Sequence, residues 1–222
     1  MKRVVLAVIL VLGSTQGAFA STLLSISDGV SSAMVMDSGG NVPVTYTNAN
    51  FDGWVIAVAG GLSSSPSLSP FGLDAFSLTA YCLPGAGCNT NNLTITLSSN
   101  GFTQVPTNGF LESFSGVVAS GSASQSGYFS TGNCLVPLGG CTTTLIGTLG
   151  PFSGAFGTSI SGGSAGPNPY SLTLVQTITA GSLGVSLDGQ IGQVPEPASL
   201  LLLGGALCGV GFFVRRKDSI FN

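Results

Sequence analysis

Apolar and polar residues alternate with a period of two along much of this 222-residue chain. In residues 93–97, for example, three apolar side chains alternate with two threonines. Because successive side chains of a strand point to opposite faces of a sheet, this pattern predicts half-buried β-strands. Residues 21–193 contain no amphipathic pattern of helical period and useful length. The sequence therefore predicts an all-β domain with loops rich in glycine and serine.

The predicted strands are short and are separated by turn residues at regular intervals. We expect strands at residues 22–27, 42–47, 54–59, 71–81, 93–97, 110–119, 125–130, 142–149, 152–160, 170–180 and 183–187. Segments 110–119 and 125–130 are predicted partners joined by residues 120–124, and Gly150-Pro151 is a predicted turn between the next two strands. This spacing of strands and turns favours a β-sandwich or a jelly-roll.

Some residues of this domain have both a structural and a functional interpretation. Trp54, the one tryptophan of the chain, is predicted to be a core residue, and the alternative is a residue that stacks on a sugar ring. The Asp-Gly pairs that begin at Asp28, Asp52 and Asp188 are predicted turns, because aspartate and glycine both suit turn conformations.

Residues 21–193, hereafter the body, contain no lysine, arginine or histidine and have a formal charge of −6. The acidic residues of the body are Asp28, Asp37, Asp52, Asp74, Glu112 and Asp188. A body without cations has nothing to exchange for the counterions of a nucleic acid, so we predict no nucleic-acid partner. A Ser-His-Asp site lacks its base, a lysine Schiff base is impossible, and histidine-containing zinc sites are excluded.

The acids are the remaining candidates for chemistry. A glycosidase needs two carboxylates across a cleft. Glu112 is the only glutamate of the body, and nothing in the spacing pairs it with an aspartate. The aspartates would suit calcium, but no EF-hand or calcium-binding repeat is present. We therefore predict no catalytic residue, no metal ligand and no cofactor, and a calcium site is the alternative to turns and solvated positions.

Four cysteines, Cys82, Cys88, Cys134 and Cys141, lie in the body, and an even count in an exported chain favours disulfides. Three pairings are open. The local pairing, Cys82 with Cys88 and Cys134 with Cys141, closes two loops of similar size that both contain proline and glycine, and we favour it. A zinc site of four thiolates is the alternative, but the close spacing of such sites is missing.

The first 20 residues have the pattern of a signal peptide. Lys2-Arg3 is followed by an apolar run and then by Ala18-Phe19-Ala20, a cleavage signal that would leave Ser21 as the new N-terminus. We therefore expect the Sec machinery and signal peptidase as partners. Both basic clusters of the chain are then cytoplasmic, and the body between them is exported.

The C-terminal tail combines a proline-containing break, an apolar segment and a basic cluster. The break at residues 194–197 precedes residues 198–214, which carry no charge and have about the minimum length of a transmembrane helix. The basic stop at residues 215–217 is expected to stay in the cytoplasm. Spacing alone leaves a plain single-pass anchor open.

Residues 194–217 resemble a PEP-CTERM sorting signal, in which a Pro-Glu-Pro triplet, a short apolar helix and an Arg-rich end follow in this order. The residues that carry the resemblance are Val194, Pro195, Glu196, Pro197, Arg215, Arg216 and Lys217. Proteins with this tail resemble substrates of exosortases, which are membrane-embedded enzymes. Exosortases occur in bacteria, mostly Gram-negative species that make extracellular polysaccharide. The resemblance implies a precursor anchored in the inner membrane that an exosortase processes and passes to the cell surface or the medium. Segments 51–54 and 169–173 are also similar to uncharacterised PEP-CTERM β proteins. This similarity carries no particular activity over to the chain.

Two functions of different class remain open for the body. The first is a non-enzymatic surface or extracellular-matrix protein that associates with extracellular polysaccharide. The second is a carbohydrate-binding or carbohydrate-active β-sandwich. A concave sheet face that bears Trp54 or tyrosines beside two carboxylates would favour the second, and a closed sandwich with scattered acids would favour the first.

Overall fold

The computed structural model describes residues 20–37, 43–62, 72–83, 85, 91–104, 106, 108–138, 140–163, 168–179 and 184–194. Within these residues the chain is all-β, as predicted, and forms ten strands. The strands are β1 (Thr22–Ser27), β2 (Ser32–Asp37), β3 (Val44–Phe51), β4 (Trp54–Leu62), β5 (Gly72–Cys82), β6 (Leu93–Phe102), β7 (Phe110–Ser130), β8 (Thr144–Gly162), β9 (Tyr170–Ile178) and β10 (Val185–Gln193). No helix long and apolar enough to cross a membrane occurs in the described part of the chain. The predicted transmembrane helix at 198–214 and residues 1–19 of the predicted signal peptide lie outside it.

Two antiparallel layers share one long hairpin. The first layer has the order β2-β1-β6-β9 and the second has the order β10-β5-β4-β3. The 21-residue β7 joins them, because its N-terminal half pairs with β10 and its C-terminal half pairs with β9. The 19-residue β8 pairs with β7 along both halves. The layers approach each other where β4 meets β6 and β5 meets β9, which gives the predicted β-sandwich.

The hairpin β7–β8 bends where it passes from one layer to the other. Its pairing register shifts between Val118 and Ala123, and the backbone angle φ is +80° at Gly121 and +105° at Gly150. Strands that switch layers in a sandwich turn such corners at bulges and bends, and glycine suits positive φ. The prediction of separate strands at 110–119 and 125–130 was therefore wrong, as was the turn at Gly150-Pro151. The local turn residues mark a bend in a continuous strand.

Two further differences from the predicted strands concern β2 and β10. β2 was not predicted, because it is an edge strand whose side chains alternate only between exposed and half-buried. The last strand was predicted to end at residue 187, but β10 continues to Gln193. Asp188-Gly189 lies inside β10 and is not the predicted turn, because β5 and β7 pair with this strand on both sides. Neighbouring strands here override the local preference of Asp-Gly for turns.

The apolar core lies between the two layers and follows the period-two alternation. Leu93, Ile95 and Leu97 are all at most 2% exposed, whereas the intervening threonines are half-buried. Trp54 is 0% exposed, which confirms it as a core residue. Fully burying a large apolar side chain stabilises a fold by about 1.5–3 kcal/mol, so each of these positions fixes the register of its strand.

Candidate functional site

Three buried polar side chains form a chain of hydrogen bonds at the corner of the sandwich. Glu112 and Gln125 lie on the two halves of β7, and the bend brings them together so that Gln125 Nε2 donates to Glu112 Oε1 over 3.1 Å. The same Nε2 donates to the carbonyl oxygen of Ser113 at 2.9 Å. Gln176 Nε2 of β9 donates to Gln125 Oε1 at 2.9 Å. Each of the three side chains is at most 1% exposed.

Glycines on three different strands make room for this Glu112–Gln125–Gln176 chain. A Cβ atom at Gly127 of β7 would lie 2.7 Å from Glu112 Oε2, and one at Gly147 of β8 would lie 3.2 Å from the same atom. A Cβ atom at Gly189 of β10 would overlap the side-chain amides of Gln125 and Gln176. Any side chain at these positions would therefore displace the polar groups.

The hydrogen bonds of the chain leave two buried acceptors unsatisfied. Glu112 Oε2 and Gln176 Oε1 are buried and accept no hydrogen bond of good geometry. Burial raises the pKa of Glu112 from 4.5 to about 7, and the hydrogen bond from Gln125 acts in the opposite direction. The Glu112 side chain is 0% exposed. The arrangement holds a corner of the fold together.

A second pair of acids lies on the neighbouring strands β5 and β10. Burial and the nearby charge of Asp188 together raise the pKa of Asp74 from 3.8 to about 6. Burial also raises the pKa of Asp188, although its side chain is largely exposed. The Oδ1 atom of Asp74 is buried without a hydrogen-bond partner. No group of three metal-ligating side chains occurs among the described residues.

Two of the remaining acids, Asp28 and Asp52, lie in turns between neighbouring strands. Asp28 Oδ1 accepts hydrogen bonds from the backbone N–H groups of Val30 and Ser31 at 2.9 and 2.8 Å, which stabilises the β1–β2 turn. Asp52 and Gly53 both have positive φ, +47° and +91°, and form the two-residue turn between β3 and β4. The predicted turns at Asp28 and Asp52 are thus confirmed.

A disulfide closes a loop between β7 and β8. Cys134 and Cys141 are joined with an S–S distance of 2.05 Å. This bridge is one of the two in the favoured local pairing. Cys82 is also disulfide-bonded. Its partner lies outside the described residues, and so does Cys88, the partner that the local pairing predicts. A pocket of about 290 Å³ adjoins the bridge. It is lined by Val136, Pro137, Gly140, Cys141 and Thr143, none of which has a charged side chain.

Both ends of the body lie at the same end of the sandwich. Ala20 is 1% exposed, and its Cα atom faces Gly101 at the end of β6. The next residue, Phe102, stacks on Tyr170 with ring centroids 5.5 Å apart, and Tyr170 contacts Phe110 at 5.8 Å. Phe110 in turn pairs with Gln193, the last residue of β10.

The residues flanking the two predicted processing sites make backbone contacts at this end. The N–H group of Ser21, the predicted new N-terminus, donates to Asn100 Oδ1 at 2.9 Å. The N–H group of Val194 donates to the carbonyl oxygen of Gly109 at 3.2 Å. Ala18 of the predicted signal peptidase site lies outside the described residues, and so do the predicted sorting residues from Pro195 to Lys217.

Comparison with protein families assigns the tail. The PEP-CTERM protein-sorting motif matches residues 193–217, which confirms the resemblance noted from the sequence. The chain is therefore of the class of exported proteins that an exosortase processes. It is a PEP-CTERM domain-containing protein. The match begins at the last residue of β10 and leaves the body unassigned.

No curated protein sequence matches the chain. Among solved structures, the chain is similar to the CBM22-1–GH10 modules of xylanase 10B of Clostridium thermocellum, complexed with xylohexaose. The identity is 15% and the TM-score is 0.33, and the match covers 71% of this chain and 29% of the xylanase chain. The enzymatically active domain of tailspike protein 4 of Bacteriophage CBA120 is 11% identical at a TM-score of 0.32, covering 68% of this chain and 21% of its own. TmCBM61 in complex with β-1,4-galactotriose is 11% identical at a TM-score of 0.27. That match covers 65% of this chain and 90% of the TmCBM61 chain. Likenesses of this strength assign no ligand.

Proposed function

We propose that this protein is a non-enzymatic component of the cell surface or the extracellular matrix of a Gram-negative bacterium. An exosortase would release its body from a precursor anchored in the inner membrane. The observation that carries the proposal is the position of the sorting motif, which begins at Gln193, the last residue of β10. The part that is delivered is then a folded all-β domain that ends where the sorting motif begins.

The burial of Glu112 and Trp54 and the lack of cations support a non-enzymatic body. Glu112 is 0% exposed, so the one glutamate of the body is out of reach of a polymer. Trp54 is equally buried and offers no ring for a sugar to stack on. The body has no cation that could clamp a carboxylate or phosphate group.

The same surface chemistry supports association with extracellular polysaccharide through neutral contacts. The outward-facing positions of β7, β8 and β10 are mostly serine, threonine and glycine, whose hydroxyl and backbone groups can exchange hydrogen bonds with sugar hydroxyls. An acidic polymer would be repelled by a body of formal charge −6. A neutral polysaccharide, or an acidic one bridged by calcium, is the partner that fits.

The sorting part of the proposal is tested by intact mass and cell fractionation of the native protein, with and without the host's exosortase. We expect a mass that lacks the signal peptide and the segment after Pro-Glu-Pro, and release from the membrane only when the exosortase is present. An uncut tail in the inner membrane of both strains would reduce the motif to a plain anchor and refute the proposal.

The alternative of a carbohydrate-active sandwich has one observation in its favour, the neighbouring carboxylates of Asp74 and Asp188. Incubation of the exported protein with a panel of polysaccharides separates the two functions. New reducing ends that disappear in an Asp188→Asn variant would favour the enzyme. Retention on a polysaccharide without new reducing ends would favour the matrix protein.

A further inference from the structure

The outer edge of β8 is the longest unpaired strand edge among the described residues. One side of its 19 residues pairs with β7, and no described strand pairs with the other side. The edge therefore presents a row of backbone N–H and C=O groups that a further strand can pair with. Residues 155–162 form the regular part of this edge, since they pair with 110–117 of β7 without a register shift and follow Gly154, whose φ is +73°.

In the part of the chain that the structure describes, residues 155–162 of β8 lack the usual protection of a strand edge. Natural edges are blunted by charged residues, especially lysine, by proline or by a covering element. No charged residue occurs anywhere between Glu112 and Asp188, and Pro151 lies outside the regular part of the strand. The other two edges, β2 and β3, lie close to each other across the two layers, and β2 ends in Asp37.

Charge limits which partner this edge can accept. The body carries six acids and no cation, so two copies of it repel each other over most of their surfaces. The β8 edge is free of charge and avoids this repulsion. A charged strand from another protein would lose solvation there and find no opposite charge in return. An identical neutral strand meets neither penalty, and an antiparallel pair of identical strands has the two-fold symmetry of a closed dimer.

We propose that the regular stretch of β8, residues 155–162, pairs antiparallel with the same stretch of a second copy. The pairing joins two sandwiches into a dimer and extends the second layer of each copy across the contact. Because the contact itself is neutral while the bodies repel, added salt strengthens the dimer by screening the repulsion. This inference concerns the folded body and does not rest on the proposed function.

The test is sedimentation equilibrium of the protein purified from its producing cells, over a concentration series at low and high salt. Ser159→Lys places a charge on the exposed face of β8, and Ser186→Lys places the same charge on an exposed position of the central strand β10. We expect a dimer whose Kd is raised at least about tenfold by Ser159→Lys and is unchanged by Ser186→Lys. Circular dichroism checks that both variants are folded.

A second variant, Ala155→Lys, guards against misfolding of the first, since Ala155 is also exposed on β8. We expect it to weaken the dimer in the same way. The proposal is overturned if the wild-type protein stays monomeric at its solubility limit. It is also overturned if it forms a dimer that both β8 variants leave intact, or one that salt dissociates.

Discussion

Replacing Glu112 by glutamine should remove a large part of the pH dependence of the stability of this protein. The carboxyl group is fully buried, and its pKa is raised from 4.5 to about 7 in the folded chain. A difference of about 2.5 pKa units corresponds to about 3 kcal/mol of folding free energy, at about 1.4 kcal/mol per unit.

The sign follows from proton uptake. Between pH 4.5 and about pH 7 the unfolded chain has lost the Glu112 proton while the folded chain retains it. Stability therefore falls as the pH rises through this range, and the full loss of about 3 kcal/mol is reached above pH 7. Asp74 and Asp188, whose pKa values are also raised, contribute in the same direction.

Guanidinium unfolding at pH 5 and pH 8, followed by the fluorescence of Trp54, measures the effect. Glutamine also places an amide against Gln125, which costs about the same at both pH values, so the difference between the two pH values isolates the ionisation. We expect the wild type to lose about 2.5 kcal/mol more than Glu112→Gln between pH 5 and pH 8, because part of the total effect has already appeared at pH 5.

The matched control is Asp52→Asn, which removes an exposed carboxylate and keeps a residue that tolerates positive φ. It tests whether the effect of Glu112→Gln depends on the buried position of Glu112 or only on the removal of one acidic residue. Equal pH dependence in the wild type and Glu112→Gln would refute the reasoning, because it would mean that Glu112 is solvated or paired in the folded protein.

Three further substitutions test other parts of the structure by chemical unfolding. Gly189→Ala should cost about 1–3 kcal/mol because its methyl group overlaps the buried amides, whereas Gly157→Ala, whose Cβ would meet no atom nearer than 3.9 Å, should cost little; equal effects would contradict this packing. Replacing Cys134 and Cys141 together by serine should cost about 2–3 kcal/mol through the freed loop, and a non-reducing peptide map that lacks the bridge would contradict it. Asp28→Ala should cost about 1–2 kcal/mol, whereas Asp28→Asn, which keeps the Oδ1 acceptor, should cost less; equal losses would show that the turn does not depend on this acceptor.

The fold class could be predicted because the alternation of side chains reports directly on which face of a strand is buried. The interior position of Leu93, Ile95 and Leu97 follows from that pattern alone. The course of β7 and β8 does not, since glycine and proline signal both a reversal and a bend. Only the neighbours β9 and β10, which are distant in sequence, decide between the two at this corner.

The buried polar chain could have been found from the same alternation. Glu112 lies between Phe110 and Phe114 on the core face of β7, and Gln176 lies between Leu174 and Ile178 on the core face of β9. A polar residue at an apolar position of a strand predicts a buried partner. The identity of that partner could not be predicted, because the bend that brings Gln125 to Glu112 is a property of the assembled sandwich.

The position of β10 has a mechanical consequence for the precursor that we propose, which would be anchored through its C-terminus. The tail continues from a strand that is paired with β5 on one side and with β7 on the other. Tension on the tail pulls this strand along its own axis, so both rows of hydrogen bonds carry the load together and none can be peeled off singly. An edge strand pulled in the same direction would be held by one row of hydrogen bonds instead of two. Resistance to forced unfolding is governed by the unfolding rate, and this geometry slows that rate.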